Sequence, residues 1–192
     1  MTFIKETLFE IKFVFKHDNQ FLKGEIIDFW KANKDSYLDE LRSYYHFKAI
    51  DDADEWAFSS PTNSEVAAIA RNNSNEIIGI AFVDLKEIDK SLSLGTHAYF
   101  QKVFVLSNYR SPKLTWRLFT CFVKGFSDAK SSRDFRAKSL VSENINPKMK
   151  NPYLRRCFSK LGYKMMGKNN FDGEIWYLPL KTSYKLHKLN QA

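Results

Sequence analysis

Ser111 and Pro112 give the sharpest local signal in this sequence, the start of a helix directly behind a strand. A serine hydroxyl accepts a hydrogen bond from a main-chain N–H of the first helical turn, and proline suits the next position because its missing N–H would have had no acceptor. Apolar residues then recur at helical spacing to about Asp128, whereas residues 98–106 have the composition of a strand. The sequence therefore predicts a strand–turn–helix unit over residues 98–128.

A second helix start of the same kind stands at Asn151 and Pro152. Leu154, Cys157, Phe158 and Leu161 form its apolar stripe, and Gly162 follows where a residue in the left-handed conformation commonly ends a helix. We expect this helix to end at Gly162.

The remaining periodicities complete an α+β order with no internal repeat. They predict a strand over 9–15, a helix over 20–31, and a second short helix capped by Ser36 with Leu38, Leu41 and Tyr45 on its apolar stripe, before the acidic loop 51–55. Further strands are predicted over 65–71, 76–84, 137–142, 163–167 and 174–180, with a hairpin turn at 72–75 because asparagine tolerates a positive φ. The fold class expected is α+β, a mixed and mainly antiparallel sheet flanked by helices.

Length and composition fit one globular domain. The 192 residues, 44% of them hydrophobic, predict a single domain over 1–180 and a basic tail over 181–192 carrying Lys181, Lys185 and Lys188. The longest apolar run, Ile77 to Val83, is too short to span a membrane, and the N-terminus does not resemble a secretory signal, so the expected location is cytoplasmic. Cys121 and Cys157 are expected to be reduced and buried, with no metal site.

The formal net charge of +8 favours polyanionic partners without choosing among nucleic acid, a membrane surface and a phosphate-bearing cofactor. The tail fits either a solvated extension or a contact arm.

Two motifs give the chain, over about residues 9–180, a resemblance to the GNAT superfamily of acyl-CoA-dependent N-acyltransferases. Residues 103–110, VFVLSNYR, and the following SPKLT resemble the family's strand and its pyrophosphate loop Q/R-x-x-G-x-G/A. Residues 151–163, NPYLRRCFSKLGY, resemble N-x-x-A-x-x-L-Y-x-K-L-G-F and are the more specific match. The resemblance implies a GNAT-like fold and acetyl-CoA or another acyl-CoA as co-substrate.

By this resemblance the cofactor is expected to bind the strand and the two helix starts. A helix N-terminus suits a pyrophosphate because its outward main-chain amides and its dipole attract anions. Lys113 and Thr115 replace the two glycines of the family loop, and Pro112 removes one donor, so an ordinary capped helix stays open as the alternative. The cofactor-binding residues expected are Phe104, Val105, Arg110, Ser111, Lys113, Leu114, Thr115, Asn151 and Arg155.

The catalytic residues implied are less definite. Phe158 occupies the position of the family's tyrosine, which returns a proton to the CoA thiolate, so Tyr153 or Tyr163 would have to replace it. Tyr153 is the preferred proton donor, or else an aromatic residue beside a cap. Glu143 and His97 are the candidate bases, or else a surface acid and a strand-end residue.

The function expected is transfer of an acetyl or other short acyl group from acyl-CoA to a primary amine. The alternative is a catalytically weakened GNAT-like fold that binds nucleic acid or protein. The basic cluster Lys148, Lys150, Arg155 and Arg156 fits the ribose phosphate of CoA, a nucleic-acid backbone or a solvated helix face. The sequence names neither the acceptor nor the oligomeric state.

Overall fold

A computed structural model describes residues 9–44, 64–89, 94–144, 146–169 and 172–181. Its strands are β1 (Glu10–Phe13), β2 (Glu65–Arg71), β3 (Ile77–Glu87), β4 (His97–Val105), β5 (Ala137–Asn144), β6 (Lys164–Lys168) and β7 (Glu174–Pro179). Its α-helices are α1 (Gln20–Tyr44), α2 (Pro112–Asp128) and α3 (Pro152–Lys160), with short 3₁₀ turns over Ser107–Tyr109 and Pro147–Lys150. The α+β class expected from the sequence is confirmed.

The seven strands form one sheet in the order β1-β2-β3-β4-β5-β7-β6. Every neighbouring pair is antiparallel except β4 and β5, which run parallel. A parallel pair needs a crossover, and α2 provides it between these two strands. The mixed, mainly antiparallel sheet is therefore confirmed, and its one parallel pair lies in the middle.

Helices cover the sheet on both faces. Trp30 and Leu41 of α1 belong to an apolar cluster with Ile80 and Phe104 of the sheet. A second cluster joins the sheet to α2 and α3, and it contains the buried helical residues Leu114, Leu118, Phe119, Phe122, Val123, Phe126 and Phe158. The sheet thus has an α1 face and an α2/α3 face.

One continuous helix replaces the two predicted near the N-terminus, so Ser36 is not a helix start. α1 runs for 25 residues through Ser36, which is exposed. Residues 31–36 contain neither glycine nor proline, and the buried stripe continues from Trp30 to Tyr37 and Leu41. Packing of that stripe on the sheet outweighs the local capping preference of serine. Tyr45 and the acidic loop 51–55 lie outside the described residues.

Two predicted turns are confirmed by their backbone conformation. Asn75 has a φ of 64° in the β2–β3 hairpin, and Gly162 has a φ of 92° after α3. The Tyr163 N–H donates to the Phe158 carbonyl across this turn, which is the bond that closes a left-handed helix end. Gly162 thereby directs the chain from α3 into β6.

Other expectations are corrected or lie beyond the described ranges. Cys121 and Cys157 are free thiols, as expected, but both are partly exposed rather than buried. Burial of Cys121 is still sufficient to raise its pKa. The predicted tail lies outside the described residues after Lys181. Within the described ranges, no helix combines the length and apolarity that a membrane crossing requires.

Candidate functional site

β4 and β5 pair for only part of their length, and the end of their pairing creates a fork in the sheet. The parallel ladder runs from His97 beside Ala137 to Gln101 beside Ser142. Beyond that point β4 stays paired with β3 up to Val105, while β5 stays paired with β7 up to Asn144. The two strands therefore separate toward their carboxyl ends, and we call the opening between 102–105 and 143–144 the fork.

Main-chain groups of β4 point into the fork at alternate residues. The Leu106 N–H donates to the Ile78 carbonyl, so residue 106 and, by alternation, residues 104 and 102 direct their main chain toward β3. Val103 and Val105 direct theirs toward the fork. Val103 was not among the residues predicted from the sequence, although strand alternation places it on the same edge of β4 as Val105.

Phe104, one of the predicted cofactor contacts, lies elsewhere. Its main chain belongs to the β3 ladder, and its side chain is buried on the α1 face against Phe29, Trp30 and Tyr37. The structure therefore brings Val105 to the fork and packs Phe104 into the core.

The α2 turn follows β4 at the carboxyl end of the fork, as predicted. The Ser111 hydroxyl accepts from the Leu114 N–H at 3.2 Å, and the Ser111 carbonyl accepts from the Thr115 N–H at 3.0 Å. Pro112 has no N–H to offer. This turn has fewer available main-chain donors than a glycine loop would have, which leaves the exposed Lys113 ammonium as its main attraction for an anion.

Arg110 is held in place beside this turn. Its guanidinium donates to both carboxylate oxygens of Glu40 at 2.7 and 2.6 Å, and to the Val105 carbonyl at 2.7 Å. The Val105 carbonyl, which the strand directs toward the fork, is thereby satisfied. Arg110 connects α1, the end of β4 and the α2 turn.

The start of α3 is built as the sequence predicts, with Asn151 as its cap. The Asn151 side chain accepts from the Tyr153 N–H at 2.8 Å. The Tyr153 side chain itself is 68% exposed. Its position on the outside of the first turn gives its hydroxyl no defined contact in the described part of the chain.

Two of the four residues of the predicted basic cluster, Lys150 and Arg155, are paired with carboxylates. Arg155 bonds to Glu174, whose side chain is only 1% exposed, and the Trp176 indole N–H donates to the same carboxylate at 3.0 Å. Lys150 bonds to Asp172, and bonds from Lys150 and Lys168 lower the Asp172 pKa to about 2. These contacts hold α3 and its preceding turn to the end of the sheet.

Tyr163 lies at the base of the fork. Its hydroxyl donates to the Gln101 side-chain oxygen at 2.6 Å, and Gln101 is the last β4 residue paired with β5. Burial raises the pKa of Tyr163 far above its ordinary value. Phe158 packs beside it, with ring centroids 5.1 Å apart. Of the two tyrosines considered from the sequence, Tyr163 is the one that the fold brings to the fork.

Charged residues flank the fork on the α1 face. Lys102 lies directly opposite Phe82, whose side chain is on the α1 face, so the Lys102 side chain is on that face too. Phe100 shares this face because it is two residues before Lys102 on the same strand, and Val141 lies beside Phe100. Glu143 is two residues after Val141 and therefore lies on the α1 face as well. Burial and the Lys86 charge lower the pKa of Lys102 to about 8, against the opposing attraction of Asp84 and Glu143. The predicted base Glu143 is therefore at the fork, and its neighbour there, Lys102, was not predicted from the sequence.

His97, the other candidate base, lies at the opposite end of β4. It pairs with Glu87 and Ala137 where the β4–β5 ladder is closed, and its ring contacts the Thr96 hydroxyl at 3.1 Å. Four residues of extended strand, roughly 13 Å, separate it from Gln101. The structure does not bring His97 to the fork. Among the described residues no group of three or more His, Cys, Asp or Glu side chains is arranged to hold a metal ion.

Comparisons with solved structures identify the fold. No protein-family model and no curated protein matches the sequence. The chain is similar to a GNAT superfamily phosphinothricin acetyltransferase from Sinorhizobium meliloti in complex with acetyl-CoA, with TM-score 0.56 and 11% identity over 94% of this chain and 96% of that one. It is also similar to a protein provisionally assigned as an acetyltransferase from Acinetobacter baylyi ADP1, with TM-score 0.51 and 16% identity over 92% and 96%. The fold is that of the GNAT superfamily.

Proposed function

We propose that this protein is an acyl-CoA-dependent N-acyltransferase that moves an acetyl or other short acyl group to a primary amine. The observation that carries the proposal is the fork, where a strand edge that pairs with no other strand ends at a helix N-terminus. An extended pantetheine chain suits such an edge, because its amides pair with a strand as another strand would.

The cofactor would lie along β4 with its phosphates at the α2 turn. Val103 would bond the pantetheine amides through its main-chain N–H and carbonyl, and Val105 through its N–H alone, because Arg110 already binds the Val105 carbonyl. Lys113 would attract the pyrophosphate. The Ser111 hydroxyl would either donate to a phosphate oxygen or continue to cap α2. Arg155 remains a predicted contact, although its pairing with the buried Glu174 opposes its release.

The chemistry would take place where the fork narrows. An ammonium acceptor must first lose a proton, and the Glu143 carboxylate would receive it directly or through water. The free amine then attacks the thioester carbonyl carbon and the C–S bond breaks. The thiolate takes a proton from Tyr163, and Tyr163 recovers one from the nitrogen of the new amide, so that no buried phenolate remains. Tyr163 replaces Tyr153 in this proposal because of its hydrogen bond to Gln101 at the base of the fork.

Calorimetry with acetyl-CoA tests the proposal on the unmodified protein and on Lys113→Glu. Reversing this charge beside a pyrophosphate should weaken binding at least about tenfold, or ~1.4 kcal/mol. A glutamate in the first turn is compatible with the helix dipole, so α2 should stay folded.

Lys124→Glu is the matched control. It makes the same charge change on an exposed position of the same helix, roughly 16 Å along its axis from Lys113, and should bind as the unmodified protein does. Absence of acetyl-CoA binding to the unmodified protein would remove the acyltransferase proposal.

One observation favours the alternative, a catalytically weakened fold that binds other molecules. Ser111 and Pro112 leave the α2 turn poor in main-chain donors. A nucleic-acid partner is opposed by the carboxylates that pair Lys150 and Arg155. If acetyl-CoA does not bind, affinity for a mixed oligonucleotide that falls log-linearly with rising salt would support this second function.

A further inference from the structure

Lys102 holds an unusual position for a lysine, at the mouth of the fork. It is the first residue of β4 beyond the last pair with β5, and Glu143 is the first residue of β5 beyond the same point. Both lie on the α1 face, on opposite sides of the opening. An acyl group held in the fork would lie between these two side chains.

The surroundings of Lys102 increase the population of its neutral form, although the ammonium still predominates at pH 7. The charged groups facing it within the described residues are Asp84 and Lys86 from β3 and Glu143 from β5. Partial burial and the Lys86 charge outweigh the two carboxylates, and the pKa is lowered from 10.5 to about 8. At pH 7 the neutral amine, which is the nucleophilic form, is then roughly 300 times more abundant than for an ordinary lysine.

We propose that Lys102 is a self-acylation site of this protein, modified when acyl-CoA occupies the fork. The Lys102 Nζ lone pair attacks the thioester carbonyl carbon, a C–N bond forms and the C–S bond breaks. CoA leaves as the thiolate and takes up the proton that the amine releases, which gives an acylated lysine and free CoA. This inference rests on the proposed function, because it needs the thioester in the fork.

The modification would act on the same site that the proposed reaction uses. The amide carries no charge, so acylation removes a cation from between Asp84 and Glu143 and adds an acyl group where an external amine approaches. Transfer to an external amine should therefore slow as Lys102 becomes acylated.

The experiment incubates the purified protein with acetyl-CoA at pH 7, 8 and 9 and follows each lysine by peptide mass spectrometry. Lys102 should be acetylated at least about tenfold faster than the exposed Lys164 on the outermost strand, with a rate that saturates in acetyl-CoA. Because the unprotonated amine reacts, the rate should rise from pH 7 and level off above pH 8. Excess desulfo-CoA, which lacks the thioester, should suppress it.

Two lysine variants give the matched comparison. Lys102→Arg keeps the positive charge but removes the acylated amine, so the fast modification should disappear. Lys86→Arg alters a neighbouring lysine on the same face and should leave acetylation of Lys102 in place.

Calorimetry on the same sample distinguishes failure of the self-acylation proposal from failure of the proposed acyltransferase function. Acetyl-CoA binding with Lys102 modified no faster than Lys164 would overturn the self-acylation site and leave the proposed function standing. Absence of acetyl-CoA binding would overturn both.

Discussion

α2 and α3 begin with the same arrangement of side chains, but the arginines beside their first turns have different partners. Ser111 caps α2 and Asn151 caps α3, and proline follows each. Arg110 pairs with Glu40, whose side chain is 24% exposed, whereas Arg155 pairs with Glu174, whose side chain is 1% exposed. A charge left without its partner is tolerated near water and is costly in the interior. The α2 turn therefore has the arginine that a ligand would release more easily.

Removal of Arg155 should cause the largest loss of stability among the variants that test this difference. Arg155→Met leaves the Glu174 carboxylate buried without its cation, and the free energy of unfolding should fall by about 3–5 kcal/mol in urea denaturation. Arg110→Met at the α2 turn should lose about 1 kcal/mol or less, because both side chains of the Arg110–Glu40 pair reach solvent.

Arg156→Met is the control on α3 itself. Its exposed guanidinium makes a 3.4 Å bond to the Pro152 carbonyl, and its loss should change stability by less than about 0.5 kcal/mol. A loss for Arg155→Met no greater than for Arg156→Met would show that Glu174 does not depend on Arg155. The double variant Arg155→Met/Glu174→Met should recover much of the loss, since it removes both charges.

Tyr153 lies in the first turn of α3 and Tyr163 follows its end, so variants of the two tyrosines compare the two ends of this helix as the source of the proton. If the acyltransferase proposal holds, Tyr163→Phe should lower kcat at least about tenfold, or ~1.4 kcal/mol, with acetyl-CoA affinity unchanged. Tyr153→Phe should leave kcat unchanged. The measurement is release of the CoA thiol with a primary amine found by screening.

Gln101→Met separates chemistry from packing in that experiment. It removes the same 2.6 Å hydrogen bond but keeps the Tyr163 hydroxyl, so a kcat loss below about threefold is expected. Equal losses for Gln101→Met and Tyr163→Phe would identify Tyr163 as a structural residue.

Smaller effects than those of Arg155 and Tyr163 are expected from the caps themselves. Ser111→Ala and Asn151→Ala each lose a side-chain acceptor at a helix start, and each should lower the free energy of unfolding by about 1 kcal/mol. Only Ser111→Ala frees the Leu114 N–H beside the proposed pyrophosphate position. Calorimetry should therefore show acetyl-CoA affinity retained or raised in Ser111→Ala and unchanged in Asn151→Ala. Equal changes in affinity for both variants would contradict a phosphate position at α2.

Local patterns predicted the fold well where the responsible forces act over a few residues. The helix starts at Ser111 and Asn151 and the left-handed Gly162 were all readable, since capping and backbone conformation involve near neighbours. The same reasoning was wrong at Ser36, where packing of Tyr37 and Leu41 on the sheet extends α1 through a residue that often caps helices.

The fork could not be predicted from the sequence. The sequence by itself determined the α+β order, the place of α2 between two strands along the chain and the residues available for chemistry. Only the tertiary structure decided that β4 and β5 part after Gln101 and that the main chain of Val103, rather than that of Phe104, faces the opening. It also decided that Lys102 and Glu143 flank the fork on the α1 face, that Tyr163 lies at its base on the α2/α3 face, and that His97 lies at the far end of β4. The physical reason is that strand pairing and burial join residues that are far apart in the sequence, 62 positions for Tyr163 and Gln101, and no short-range pattern encodes which of them meet.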